Sequence, residues 1–111
     1  MKDEQLYLVH IREAIADIRA YAAGGESAFR ADRMQQDAII RKLEVIGEAV
    51  KHLSVPTRDR QPQIPWKQVA GMRDHLTHGY FGVDLTLVWR VVERDLDALD
   101  AAVAALIDAR T

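Results

Sequence analysis

The 111-residue chain contains no cysteine. Disulfide staples and thiolate metal sites are therefore excluded, and the absence fits a reducing compartment. No apolar stretch approaches the ~18 residues a membrane-spanning helix needs. The Met1-Lys2-Asp3-Glu4 start also lacks the apolar core of a signal peptide. A cytoplasmic protein with no membrane attachment is the expectation. Proline occurs three times, all in the stretch 54–65, so the strongest helix breaker is confined to one loop. Strand signals are weak everywhere. There is no internal repeat, low-complexity tract or linker, so residues 1–111 read as a single domain. A phosphate-binding glycine loop, a pair of carboxylates flanking a substrate and a serine-triad pattern are absent as well.

What remains is helical. Hydrophobic residues make up 49% and charged residues 29% of the chain, the balance of a folded globular domain. A first helix is expected from about Asp3 to Ala22, with Leu6, Ile11, Ile15, Ile18 and Ala22 at helical spacing and Gly24-Gly25 ending it. A second begins near Asp32, where Asp32-Arg33-Met34-Gln35 resembles a capping box, and runs through Ile39, Leu43, Ile46 and Val50 to Leu53. Phe29 belongs either to a preceding turn or to an early start of that helix. A third follows Pro65, carries Val69, Met72 and Leu76, and ends at Gly79 with His78 in its last turn. Asp84 caps a fourth, whose series is Leu85, Val88, Val91 or Val92, Leu96, Leu99, Val103 and Leu106. The predicted fold is all-α, an antiparallel bundle of four main helices with room for extra short ones.

Net charge is −2, against the basic balance usual in nucleic-acid binders. Its distribution is uneven. Residues 55–80 hold Arg58, Arg60, Lys67 and Arg73 against Asp59 and Asp74, a surplus of +2, whereas 1–54 sum to −1 and 81–111 to −3. The one positive segment contains the most reactive run of the chain, Arg73-Asp74-His75-Leu76-Thr77-His78-Gly79-Tyr80.

Arginine followed by histidine suits cleavage of RNA at its 2′-hydroxyl. That reaction needs a base for the 2′-OH proton, a cation for charge building on the phosphorane, and an acid for the departing 5′-oxygen. Imidazole titrates near neutral pH, and guanidinium gives a phosphate two charge-assisted hydrogen bonds without ever deprotonating. On a regular helix Arg73 and His78 stand about 140° apart. Either the arginine bends round, or the last turn unwinds, or two copies of the motif combine. His75 shares the face of His78 and is placed to assist. Each residue also has a structural reading: His78 as a helix-terminal cap, Arg73 as an ion pair with Asp74 or Asp37, Tyr80 as half-buried packing. Trp66 and Trp89 read as packing anchors, and Gly47 as a point of close helix approach. His75 and His78 lack a nearby third ligand, so neither a metal nor a cofactor is expected.

The pattern Arg73, His78, Tyr80 resembles the ribonuclease motif of the HepT-like toxins within the HEPN superfamily. Surrounding residues extend the likeness over nearly the whole chain: Asp37-Ala38, Arg41, Leu43-Glu44 and Ile46-Gly47-Glu48-Ala49, then Ile64-Pro65-Trp66, Gly71-Met72 and Val88-Trp89. Asp74 departs from it, standing where asparagine is more usual. The resemblance implies a HEPN-like homodimer whose two motifs line one cleft. It implies a metal-independent endoribonuclease toxin of a type VII-like toxin–antitoxin pair, with Arg73 and His78 catalytic and Tyr80, Asp74 and His75 contacting substrate or assisting. It further implies a cognate nucleotidyltransferase antitoxin that transfers AMP to Tyr80. The alternative is a non-catalytic helical module that binds and regulates such a partner.

Overall fold

In the computed structural model, residues 3–77 and 82–110 are described, and they are all-α. Helix α1 spans Glu4–Tyr21, α2 Gly25–Ala31 and α3 Arg33–Val50, followed by α4 Val55–Asp59, α5 Trp66–Ala70 and α6 Met72–Leu76. Helix α7 covers Leu85–Arg90, a π-helical turn covers Val91–Asp95, and α8 covers Leu96–Arg110. The expected bundle is present, and its principal helices are α1, α3 and the α7–π–α8 unit.

Antiparallel packing of α1 and α3 follows from contacts at both ends. The Glu4 carboxylate at the start of α1 accepts from the Ser54 N–H and hydroxyl just past α3. At the other end the Gln35 amide of α3 donates to the Tyr21 carbonyl. Leu8, Ile11, Ile15 and Ile18 of α1 meet Ile39, Leu43, Ile46 and Val50 of α3, all with no solvent exposure. Burying each such side chain contributes about 1.5–3 kcal/mol. Helix α8 covers another side of α1, where Arg19 donates to Asp97 and Asp100 and Arg12 to Asp100. Those two hydrogen bonds hold the Arg19 guanidinium above its ordinary range.

Several boundaries are set as the side chains dictate. Asp32 caps α3 by accepting from Met34 N and Gln35 N, and Asp84 caps α7 by accepting from Leu87 N at 3.1 Å. The capping box is only half formed, because the Gln35 side chain reaches Tyr21 instead of returning to Asp32. Phe29 lies on the separate helix α2, fully buried, with its ring centroid 5.3 Å from that of Trp89. Trp66 is the anchor of the proline-containing loop, its indole N–H donating to the carbonyls of Arg58 and Gln61.

Two expectations need correction. The third helix is not continuous. It breaks at Gly71 between α5 and α6 and stops at Leu76, after which Thr77 is extended (φ −99°, ψ 151°). The helix expected to reach Gly79 thus ends at Leu76, and His78, expected in its last turn, lies outside the described residues. The fourth helix is not regular either. Val91 is buried and Val92 only partly so, and the next core residue, Leu96, is reached through the π turn.

Candidate functional site

Gly47 sets the geometry around the motif arginine. A Cβ there would lie 2.9 Å from the Val69 carbonyl oxygen, 3.2 Å from that of Ala70 and 3.3 Å from Met72 Cβ. Only glycine lets α3 lie this close to the α5–α6 junction. The approach leaves an open polar groove of about 290 Å³ lined by Arg41, Glu44, Glu48 and Lys51 of α3 and by Arg73 and Asp74 of α6.

Arg73 stands on the rim with its side chain 82% exposed, and its Nε is 3.8 Å from Glu44 Oε2. Neither Asp74 nor Asp37, the partners anticipated for it, forms this ion pair. The second oxygen of Glu44 lies 3.8 Å from Arg41 Nη1, so one carboxylate is shared by two guanidiniums. Glu48 is engaged by Lys51 at 3.1 Å. Asp74 lines the groove beside Arg73, and its backbone carbonyl accepts the Thr77 hydroxyl at 3.1 Å. His75 is not part of the lining. Its Nε2 sits 3.2 Å from the Gln68 side-chain nitrogen, which ties α6 to α5.

Beyond α6 the chain closes on itself. Thr77 and Val83 form an isolated antiparallel bridge, and Asp84 N donates to the Leu76 carbonyl at 2.8 Å. Gly82, at φ +77°, takes the left-handed conformation this return needs. His78 and Tyr80 fall between the bridged residues in sequence and lie outside the described residues. Arg73 and Asp74 of α6 are thus brought to one groove, four and three residues before Thr77, where the segment that carries the other two motif residues begins.

The profile described as ribonuclease HepT-like matches residues 11–106, most of the chain. The chain belongs to the HepT-like ribonuclease family. Similar proteins carry provisional names of the same kind. A Methanocaldococcus jannaschii protein named as a gamma-glutamylcyclotransferase and candidate RNase is 43% identical over 96% of this chain, which spans only 49% of that longer protein. A candidate RNase of Caldanaerobacter subterraneus is 35% identical, with 96% of both chains covered. A candidate ribonuclease HepT of Thermococcus cleftensis is 42% identical over 84% of this chain and 86% of its own. No solved structure gives a significant match.

Within this HepT-like chain, sequence reading overlooked Glu44 as the partner of Arg73 and Arg41 as its neighbour. A signal was available. Arg41, Glu44, Glu48 and Lys51 recur at spacings of three and four, a polar stripe beside Gly47 along the outer side of α3 and its C-terminal end. Such a stripe ordinarily reads as a solvated face, and only the close approach at Gly47 turns it into a groove wall.

Proposed function

We propose that this chain is a metal-independent endoribonuclease toxin, acting as a cytoplasmic homodimer with residues 1–111 as one functional domain. The supporting observation is the exposed Arg73 guanidinium on the rim of a polar groove, in a chain of the HepT-like ribonuclease family. Arg73 stabilises the charge that develops on the phosphate. His78 moves the proton of the 2′-hydroxyl as its oxygen bonds to phosphorus. The 5′-oxygen leaves, taking a proton from a general acid, and the products are a 2′,3′-cyclic phosphate and a 5′-hydroxyl. Tyr80 contacts substrate and is the acceptor of AMP from a cognate nucleotidyltransferase. The added phosphate brings negative charge close to Arg73 and competes with RNA there.

Purified, unmodified protein is expected to cleave RNA in the presence of EDTA, and His78→Ala is expected to abolish cleavage. Equal cleavage by both proteins would refute the site assignment. Co-expression with the nucleotidyltransferase should add one or more AMP units to the intact mass, and Tyr80→Phe should lose them. A mass gain that persists in Tyr80→Phe would place the acceptor elsewhere.

A second reading, a non-catalytic module that binds and regulates the nucleotidyltransferase, draws support from the charge balance of the groove. Its lining holds three cations against three carboxylates, Asp74 among them. That reading predicts mass gain on Tyr80 with no RNA cleavage by the unmodified protein.

A further inference from the structure

The groove holds a second guanidinium that the motif does not contain. Arg41 and Arg73 come from different helices, α3 and α6, and face opposite oxygens of the same Glu44 carboxylate at 3.8 Å. Neither contact is short enough to be a hydrogen bond, and the two arginine side chains are 71% and 82% exposed. Exposed ion pairs of this kind stabilise by at most about 1 kcal/mol. A phosphate offers a guanidinium two short charge-assisted hydrogen bonds and outcompetes such a carboxylate. Lys51 differs, since Glu48 already engages it at 3.1 Å. The lining is balanced in charge, with Asp74 beside Arg73, so what sets Arg41 and Arg73 apart is that neither guanidinium is held by a hydrogen bond to Glu44.

Resting on the RNA-cleaving reading above, we propose that Arg41 is a second phosphate-binding residue. It contacts the backbone phosphate next to the one held by Arg73, with Glu44 spacing the two cations. Single-stranded RNA then tracks along the groove between α3 and α6. Arg41 contributes affinity for the strand, and Arg73 acts at the reacting phosphate.

The test uses the full chain and a single-stranded RNA oligonucleotide carrying 2′-methoxy groups, which cannot be cleaved at the 2′-oxygen. Binding is followed by fluorescence anisotropy from low to moderate salt. Arg41→Ala should weaken binding about 5- to 10-fold at low salt, an exposed contact to a charged group. It should also reduce the slope of log affinity against log salt by about 0.7, one phosphate contact on a single strand. Arg41→Lys should keep the slope and lose part of the affinity. Arg33→Ala removes the same charge from the exposed start of α3 and should change neither. If Arg41→Ala behaves like Arg33→Ala while the parent protein binds, the role of Arg41 is overturned and the ribonuclease reading stands. If the parent protein does not bind the RNA, both fall together.

Discussion

Replacing Gly47 by alanine sets two effects of opposite sign against each other. In the interior of α3, alanine is favoured over glycine by about 1 kcal/mol of helix propensity. Against this, the new methyl carbon would sit 2.9 Å from the Val69 carbonyl oxygen and 3.2 Å from that of Ala70. Both are backbone atoms, so no side-chain rotation relieves the contact, and the α5–α6 junction must move away from α3. Overpacking of this type costs about 1–3 kcal/mol. The expected balance is a loss of about 1 kcal/mol, seen as a Tm lower by about 4–8 °C for a domain of roughly this size. Gly71→Ala is the matched control. Its Cβ would meet the Lys67 and Gln68 carbonyl oxygens at 3.6 and 4.0 Å, ordinary contact distances, and its φ of −93° suits any residue. Stability there should be unchanged or rise by up to about 1 kcal/mol, because alanine has fewer unfolded conformations to lose. Thermal and urea unfolding followed by circular dichroism distinguishes the two variants. A Gly47→Ala protein as stable as the parent, with unaltered RNA binding, would show that close approach of α3 does not shape the groove.

The two tryptophans give a second contrast. Trp66 donates its indole N–H to two carbonyls, whereas the buried Trp89 N–H has no hydrogen-bond partner among the described residues. Both changes to phenylalanine remove ring volume, but only Trp66→Phe also removes a hydrogen-bonded donor; the Arg58 and Gln61 carbonyls keep their backbone donors, Gln61 N and Ile64 N. It should cost about 1 kcal/mol more than Trp89→Phe in urea unfolding, and equal losses would contradict the assigned bonds. Asp74→Asn removes a carboxylate beside the groove arginine. RNA binding at low salt should tighten about 2- to 5-fold, with the gain shrinking as salt screens the exposed charge. Unchanged affinity at low salt would mean that Asp74 does not oppose the substrate.

What was legible in the sequence was local. The caps at Asp32 and Asp84 were readable because a short acceptor side chain meets backbone donors only two or three residues away. The core stripe of α3 and most of that of α1 were readable because burial imposes a 3.6-residue period, but Leu6, expected in the α1 stripe, is half exposed and the stripe begins at the buried Leu8 instead. Gly47 was legible as a point of close approach, since glycine inside a helix is otherwise costly, although its partner at the α5–α6 junction was not. The break at Gly71 escaped notice because Val69, Met72 and Leu76 keep helical spacing across it. The pairing of Arg73 with Glu44 escaped for a different reason. Its partner lies on another helix, and charged neighbours in sequence, such as Asp74, are more conspicuous than partners brought near by folding. The Arg73-to-Tyr80 motif was found through its chemistry and its family likeness. The groove beside it was found only through packing.

The π turn at Val91–Asp95 has a consequence for how the chain can change in length. Core positions run Val88, Val91, Leu96, Leu99, Val103 and Leu106, a regular alternation of three and four interrupted by a single step of five. One residue is surplus there, and Glu93, Arg94 and Asp95 are exposed to solvent. Removing a residue from that exposed arc would restore an ordinary α-helical turn and leave every apolar side chain of α8 on the face it now buries. Removing one from the middle of α8 would instead rotate everything after it by about 100°. The segment that links the motif end of the bundle to α8 thus contains a length tolerance of one residue, at the one place in the helix where a deletion preserves the core.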